Sequence, residues 1–233
     1  MKFVKAQTNG NDFVIINGTI NEDVHFLKLL ADRTIGVGCD QVVFVTKNSK
    51  DCYKLAFFNR DGSAASMCGN GACAAATYIR NFLGERKHEI KMLTLSGEYP
   101  CIINENDVSI RFMLPQKLDK CTILTGNLHY ITSMPEIKNV SKLAKEHGEC
   151  NLHFIESLTG NSIKIKTFEK GVGWTMACGS GAVAVAYLVG SSGITEIYHD
   201  GGKSFVEIKE RHATLTTRPK LVFEGELYGR STL

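Results

Sequence analysis

The chain has 233 residues, of which 43% are hydrophobic and 22% charged, with a formal net charge of +3 and a mean hydropathy of −0.07. This composition is typical of a soluble globular protein that is long enough for one large core or two smaller domains. The small net charge, without a lysine or arginine cluster, excludes a nucleic-acid-binding composition, and no apolar stretch approaches the ~20 residues that span a membrane.

The first half of the chain predicts strands gathered round one apolar helix. The predicted elements are, in order, a hairpin of residues 2–6 and 12–16, a helix over 21–33 with Asn21 as its N-cap, strands at 42–46 and 53–59, a helix from Gly71 to about Leu83, and strands at 90–95, 99–103 and 108–113. The segment before the first turn carries no signal-peptide pattern, so we expect a cytoplasmic protein.

The second half repeats this order after a boundary at 115–119. Its predicted elements are strands at 121–124 and 130–134, a helix over 141–146, strands at 152–156 and 163–168, a helix over 183–189, and strands at 196–198, 205–208, 213–217 and 221–229. The sequence therefore predicts an α+β fold with an internal duplication. The expected domains are residues 1–116 and 117–223, with the stretch near 224–233 returning to the first.

A five-residue motif occurs once in each half, as Cys68-Gly69-Asn70-Gly71-Ala72 and as Cys178-Gly179-Ser180-Gly181-Ala182. An apolar run rich in small residues follows each copy, so each cysteine stands where a buried helix is predicted to begin. Unpaired amides and the helix dipole at such a position lower the pKa of a thiol and bind anions, carboxylates included. The two copies predict two thiols that face each other across one anion site.

Other uses of the cysteines and glycines have less support. The eight cysteines lie at positions 39, 52, 68, 73, 101, 121, 150 and 178. They form no C-x-x-C pair and the seven histidines lack ligand spacing, so we predict neither a metal site nor a disulfide scaffold. Gly36-Val37-Gly38 does not match the dinucleotide fingerprint, and no glycine-rich cup with a partnered lysine indicates pyridoxal phosphate, so no cofactor is predicted.

Two facing thiols could supply a nucleophile, a redox pair or proton-transfer groups. A nucleophile needs one activated cysteine, and the duplication gives no reason for two. A redox pair that cycles through a disulfide stays open as an alternative, as does a catalytically inactive binding protein. Proton transfer explains the duplication best, because inverting a carbon centre needs one base on each face. The motif amides would then bind the α-carboxylate of a small amino acid and stabilise the carbanion.

Further segments match one known family at the positions around both cysteines. They are residues 10–13, 38–41, 58–63, 126–129, 150–152 and 168–173. In these segments and the two cysteine motifs the chain resembles the diaminopimelate epimerase family of pyridoxal-independent amino-acid racemases, over Met1 to Tyr228. The resemblance implies two pseudo-symmetric domains, each a mixed β-sheet or barrel wrapped round a central helix, with the site in the cleft. It also implies a homodimer with Tyr228 at the contact.

The resemblance implies a role for each residue at the matching positions. The implied catalytic residues are the acid/base pair Cys68 and Cys178, with Glu169 and His129 orienting the amino group and tuning the cysteines. The implied carboxylate site is formed by the backbone amides of Gly69, Asn70, Gly179 and Ser180. The implied contacts in the rest of the pocket are Asn11 and Gln41 beside the carboxylate, and Asn59, Asn127 and Asn151 at the distal end of the substrate.

Three departures from the family pattern affect substrate specificity. Lys170, which we keep as a substrate contact, stands where the family has an arginine on the distal carboxylate, and lysine lacks the same fork of donors. Leu128 replaces a proline, and Trp174 replaces a glutamate, with hinge packing favoured over a substrate contact. The predicted reaction is the interconversion of LL- and meso-diaminopimelate, a step of lysine biosynthesis, with racemisation of another polar amino acid such as histidine as the alternative.

Overall fold

A computed structural model of the chain describes residues 1–19, 23–134 and 137–228 and confirms the predicted α+β class, with strands dominating. The elements of the first half are β1 (Lys2–Thr8), β2 (Asn11–Asn17), α1 (Val24–Ala31), β3 (Gln41–Ser49), β4 (Cys52–Asn59), β5 (Ala64–Ala65), α2 (Gly69–Phe82), β6 (Glu89–Thr94), β7 (Gly97–Ile103), β8 (Val108–Met113) and β9 (Gln116–Lys117). The elements of the second half are β10 (Thr122–Thr125), β11 (Asn127–Ser133), α3 (Ile137–Glu146), β12 (Asn151–Thr159), β13 (Ser162–Glu169), β14 (Gly173–Thr175), α4 (Gly179–Val189), β15 (Ile194–His199), β16 (Gly202–Ile208), β17 (His212–Thr217) and β18 (Lys220–Glu226).

The helix α1 is shorter than the sequence predicts. Asp23 caps its start, since the carboxylate accepts a hydrogen bond from the amide of Phe26 at 2.7 Å. The predicted cap Asn21 lies outside the described residues. The helix ends at Ala31 because Asp32 is extended and its carboxylate accepts hydrogen bonds from two amides of the following turn.

The two halves share one strand arrangement in one register. In the first half β2 runs parallel to β3, with Phe13 opposite Gln41, and in the second half β11 runs parallel to β12, with His129 opposite Asn151. The short strands β5 and β14 then pair with β4 and β13 at matching positions. The equivalent residues that this register defines include Phe13 and His129, Gln41 and Asn151, Val43 and His153, and Phe57 and Thr167.

The central helices α2 and α4 are built from small side chains. Residues 69–76 of α2 and 179–186 of α4 are buried. Alanine and glycine let the surrounding strands pack closely on these helices, and α2 and α4 belong to one continuous hydrophobic core. The two helix starts are therefore fixed relative to each other by the core of the whole chain.

Strand pairs also cross between the halves. β8 pairs with β17 in antiparallel fashion over six residue pairs, from His212 opposite Met113 to Thr217 opposite Val108. β18, although it ends the described chain, pairs along β1. Within the described ranges, no helix combines the length and apolar character needed to cross a membrane.

Candidate active site

A cavity of about 630 Å³ opens in the cleft between the two halves, and both motif cysteines line it. The sequence-predicted site residues on its wall are Asn11, Gln41, Asn59, Cys68, Gly69, Asn127, Asn151, Glu169, Lys170, Cys178, Gly179 and Ser180. Two predicted site residues, Asn70 and His129, are fully buried and do not line this cavity.

The starts of α2 and α4 touch each other beside the cavity. A Cβ atom at Gly69 would lie 3.4 Å from the amide nitrogen of Ser180, and one at Gly179 would lie 2.9 Å from the amide nitrogen of Asn70. The first glycine of each motif therefore permits the close approach of the two helices. Two positive helix ends with unpaired amides converge here, which makes the region suited to an anion such as a carboxylate.

Asn70 holds this junction together from behind. Its side-chain amide donates hydrogen bonds to the carbonyl of Ala177 at 3.3 Å and to Oδ1 of Asn11 at 3.4 Å. Its own carbonyl accepts a hydrogen bond from the hydroxyl of Thr8 at 3.1 Å. The Asn70 side chain thus links the start of α2 to the residue before Cys178 and does not face the cavity.

The two thiols differ in their immediate support. The amide of Gly71 donates a hydrogen bond to the sulfur of Cys68 at 3.3 Å, whereas the Cys178 side chain makes no such cap bond and lies 3.7 Å from the hydroxyl of Ser180. Burial, and then the nearby carboxylate of Glu169, raise the pKa of both thiols. The expectation of a lowered thiol pKa is therefore wrong, because burial outweighs the helix-start amides.

Glu169 on β13 changes charge near neutral pH beside both sulfurs. Its Oε1 accepts a hydrogen bond from the hydroxyl of Thr175 at 2.8 Å. Burial raises the pKa of Glu169 to about 7, although hydrogen bonds from Thr175 and Cys178 act in the opposite direction. A carboxyl group with this pKa is present in both protonation states near neutral pH, so it can exchange protons beside the two sulfurs.

Three side-chain amides that the first half of the chain contributes to the cavity wall are held by hydrogen bonds to their neighbours. The side chain of Asn11 donates to a carboxylate oxygen of Asp40 at 2.8 Å, which leaves its Oδ1 3.9 Å from the sulfur of Cys68. The side chain of Gln41 donates to Oδ1 of Asn59 at 2.8 Å. These contacts orient three of the predicted pocket residues before any ligand enters.

The second half of the chain contributes two further side-chain amides and an ion pair to the cavity wall. The Asn127 side chain donates to the carbonyl of Met67 at 3.1 Å, and Oδ1 of Asn151 accepts a hydrogen bond from the amide of Lys170 at 3.0 Å. The Lys170 ammonium lies 2.7 Å from the carboxylate of Glu149, and both side chains are largely exposed. This end of the cavity therefore offers both signs of charge.

His129 lies behind Cys178 in a short chain of buried polar groups. Its Nδ1 is 2.8 Å from Nε2 of His153, whose Nδ1 is 3.1 Å from the hydroxyl of Thr167. One nitrogen of each histidine lies within 4.8 Å of the Cys178 sulfur. Burial lowers the pKa of His129 to about 3 and places that of His153 well below its usual range, so both rings are neutral. Because the facing nitrogens bond to each other, we describe a hydrogen-bonded chain, not a set of metal ligands.

The three positions that depart from the family pattern have different surroundings. Lys170 and Leu128 line the cavity, whereas Trp174 does not. The Trp174 ring packs 5.7 Å from the ring of Phe154 and 5.5 Å from that of Phe168, and 47% of the residue is exposed. Trp174 therefore packs on the strands that carry Glu169 and His153.

Sequence reasoning did not single out three polar residues at this site. Asp61 and Glu149 line the cavity, and each is adjacent to or within a segment that matches the family. His153 follows Asn151 by two residues, and a comparison of the two halves, which places Val43 at its equivalent, would have found it.

Comparison with known proteins places the chain among epimerases. The family model described as diaminopimelate epimerase matches residues 3–116. The diaminopimelate epimerase of Aquifex aeolicus is 30% identical, over 97% of this chain and 98% of that protein. The diaminopimelate epimerase of Carboxydothermus hydrogenoformans is 28% identical, over 98% of this chain and 100% of that protein.

Solved structures with the same fold include other epimerases. A protein described as a predicted epimerase from Pseudomonas aeruginosa has a TM-score of 0.75 at 10% identity and covers 98% of this chain and 99% of its own. A hydroxyproline epimerase from Agrobacterium vitis has a TM-score of 0.70 at 11% identity and covers 97% of this chain and 91% of its own.

Proposed function

The chain belongs to the diaminopimelate epimerase family and is an amino-acid epimerase, and we propose that it interconverts LL- and meso-2,6-diaminopimelate with Cys68 and Cys178 as the two bases. The observation that supports this most directly is the position of both thiols on one cavity, each at the start of a central helix. The reaction needs no cofactor in this proposal.

Each turnover moves one proton off the α-carbon and one proton onto its opposite face. The thiolate of one cysteine takes the α-proton, so that a Cα–H bond breaks and an S–H bond forms. The thiol of the other cysteine then gives its proton to the carbanion, which becomes the inverted product. The amides of Gly69, Gly179 and Ser180, which line the cavity, stabilise the charge that develops on the α-carboxylate.

Glu169 supplies the route to the thiolate in this proposal. Both thiols have raised pKa values, so the reactive pair must lose one proton before the first turnover. The carboxylate of Glu169, which accepts a hydrogen bond from Cys178, takes that proton. Because its pKa of about 7 lies below those of the thiols, this transfer is uphill until the thiolate is stabilised. The substrate ammonium, entering beside the sulfurs, favours the thiolate that remains.

The distal end of diaminopimelate is a second amino-acid group, which carries one ammonium and one carboxylate. In this proposal Lys170 binds the distal carboxylate and Glu149 the distal ammonium, once the substrate replaces their mutual contact of 2.7 Å. The amides of Asn59, Asn127 and Asn151 complete this end of the pocket. In this arrangement Lys170 and Glu149 each bind a group of opposite charge on the same substrate molecule.

A racemase of another polar amino acid, such as histidine, is the second candidate. The Lys170–Glu149 pair favours it, because a lysine already neutralised by a carboxylate binds a distal carboxylate less well than a free arginine does. The mechanism at Cys68 and Cys178 would be unchanged.

Deuterium exchange separates the two candidates. Purified protein is incubated in D2O with LL-diaminopimelate, meso-diaminopimelate, or L-histidine, and the α-deuterium content is read by mass spectrometry. We expect rapid labelling of both diaminopimelate isomers. Labelling of histidine with diaminopimelate unlabelled would overturn the named substrate and leave the two-thiol mechanism standing.

Alanine substitutions test the two thiols themselves. Cys68→Ala and Cys178→Ala should each lower the rate of epimerisation by at least about 10²–10⁴-fold, since each removes a proton-transfer group. Cys73→Ala is the matched control, because Cys73 is buried in α2 and does not line the cavity. It should keep the wild-type rate, and activity that survives both single changes would reject the two-base mechanism.

The homodimer and the cytoplasmic location belong to the same proposal. β18 pairs along β1 and exposes Val222 and Phe223, an apolar surface that a second copy of the chain would cover. Light scattering of the purified protein should give the mass of two chains. A cytoplasmic location agrees with a mechanism that needs both thiols reduced.

A further inference from the structure

The two halves differ in what supports their cysteine-bearing helices. In the first half, a Cβ atom at Gly71 would lie 3.0 Å from the ring of Phe57 and 3.1 Å from that of Phe13. In the second half, a Cβ atom at the equivalent Gly181 would overlap the imidazole of His153. An apolar surface thus supports the start of α2, and a histidine supports the start of α4.

The strand register that the halves share shows that the difference extends over three equivalent positions. The apolar residues Phe13, Val43 and Phe57 of the first half correspond to His129, His153 and Thr167 in the second. All six side chains are at most 2% exposed. Burying polar groups costs free energy unless they are bonded, so the replacement of a whole apolar set by a bonded polar set indicates a function.

The polar set forms one chain whose protons are coupled. Two neutral imidazoles can share their 2.8 Å contact only if one ring donates and the other accepts. The Thr167 hydroxyl at the end of the chain donates to His153 in one arrangement and accepts from it in the other. The tautomer of His129, next to Cys178, is therefore linked through His153 to the orientation of the Thr167 hydroxyl.

The polar chain lies behind Cys178, the thiol whose side chain makes no cap hydrogen bond at the start of its helix. The sulfur of Cys68 has the Gly71 amide at 3.3 Å, and Cys178 makes no cap bond. The other groups that act on Cys178 are Glu169, to which it donates a hydrogen bond, the hydroxyl of Ser180, the amide of Gly181 and the thiol of Cys68. His199 on β15 acts on His153. None of these groups belongs to the hydrogen-bonded chain.

We propose that His153 and Thr167 are positioning residues, which hold His129 in one tautomer beside Cys178 and so stabilise the Cys178 thiolate selectively over that of Cys68. This rests on the proposed function only in taking Cys178 as an acid/base group. The two bases are then unequal, since Cys68 has a helix amide at 3.3 Å from its sulfur and Cys178, without such a cap bond, has the buried imidazole chain behind it. His129 acts on the sulfur, and the two residues behind it act through His129.

Site-resolved alkylation measures the effect without any substrate. Iodoacetamide labelling is followed by peptide mass spectrometry from pH 6 to pH 10, with Cys178 read in a Cys68→Ser background and Cys68 in a Cys178→Ser background. His153→Val installs the residue of the first half, and Thr167→Val cuts the end of the chain at nearly constant volume. We expect each to slow Cys178 alkylation about tenfold at pH 7, which corresponds to an apparent pKa about one unit higher.

Three comparisons keep the result specific. Cys68 alkylation should change less than about twofold in both variants, and Thr167→Ser, which keeps the hydroxyl, should restore Cys178 to wild-type rates. Thr195→Val is the matched control, because Thr195 is a buried threonine near Gly190 at the other end of α4, and it should leave both thiols unchanged.

Equal effects on both thiols, or none on Cys178, would overturn the proposal. If His153→Val does not fold, the isosteric Thr167→Val decides alone, with its melting temperature as the check on folding. A protein without epimerase activity whose Cys178 still responds to Thr167 would contradict the proposed function and leave this inference intact.

Discussion

The carboxyl group of Glu169 is buried beside two thiols that it makes less acidic. Its pKa of about 7 compares with about 4.3 for a glutamate in an unfolded chain, and burial is the first cause of the difference. The folded protein therefore binds an additional proton at this position between about pH 4.3 and pH 7. The stability contributed by this proton is fully present at low pH and is lost as the pH rises through about 7.

Glu169→Gln should remove this loss of stability at high pH. We expect the variant to gain about 1–3 kcal/mol relative to wild type between pH 5 and pH 8, because glutamine stays neutral where the buried carboxylate becomes charged. Urea unfolding at both pH values measures the difference. Parallel stability curves for the two proteins would show that the carboxyl group titrates with an ordinary pKa.

From the residues alone, single site positions were predictable only where the chain repeats itself, whereas the other residues on the cavity wall were predicted through the family resemblance. Cys68 and Cys178 were found because the same glycine-containing motif surrounds both of them. Two unrelated turns would have no reason to share that motif. His153 was not found, since one histidine in an apolar strand carries no local sign of its partners. Glu149 was not found either, because its contact with Lys170 joins residues 21 positions apart.

The packing of the two central helices explains why each motif contains glycine at two positions. The first glycine lets the starts of α2 and α4 touch, and the second lets each helix pack on the strands beneath it. The two first glycines are not equally constrained. A Cβ atom at Gly179 would lie 2.8 Å from Oδ1 and 2.9 Å from the amide nitrogen of Asn70, whereas one at Gly69 would first meet side-chain carbons at 3.2 Å.

Gly179→Ala should therefore destabilise the protein more than Gly69→Ala does. We expect a loss of about 1–3 kcal/mol in the free energy of unfolding for Gly179→Ala, since backbone must move, and a smaller loss for Gly69→Ala, since side chains can shift. Gly148→Ala is the control, because its Cβ would have only ordinary contacts on an exposed turn, and it should stay within about 0.5 kcal/mol of wild type. Denaturant unfolding of the three variants gives the order, and a reversed order would contradict this account of the junction.

The elements were predictable in type, and their ends were less so. The apolar runs after the cysteines and the alternating strands reflect burial, which the sequence shows directly. The strands β5 and β14 were missed because two or three residues carry no periodicity, and they form only by pairing with β4 and β13. The end of α1 was misplaced because the side chain of Asp32 favours a turn over a further helical residue.

The whole molecule combines a duplicated chain with strands that cross between the copies. The duplication was visible in the sequence, but the pairs β8–β17 and β1–β18 join segments more than 95 residues apart and leave no local pattern. Because of these pairs, β18 and β17 from the second half extend the sheet of the first half. The positions of Cys68 and Cys178 are then fixed by one shared core, and not by a flexible linker between independent units.

Half-chains should therefore not fold alone. A fragment of residues 1–116 loses β18 from one side of β1 and β17 from one side of β8, and it exposes the start of α2, where Gly69 and Asn70 meet α4. Unpaired edges and an uncovered core remove more stabilisation than a marginally stable domain has to spare. We expect poorly dispersed amide resonances and no cooperative urea transition for this fragment.

Mixing the fragment with residues 117–233 should restore both signals, together with deuterium exchange at the α-carbon of the substrate. The crossing strands then form again between two chains, and the two sulfurs return to one cavity. A cooperative transition of residues 1–116 alone would show that the halves are independent domains. In that case the distance between the thiols would depend on closure of the cleft, and substrate binding would have to supply the free energy that the shared core otherwise provides.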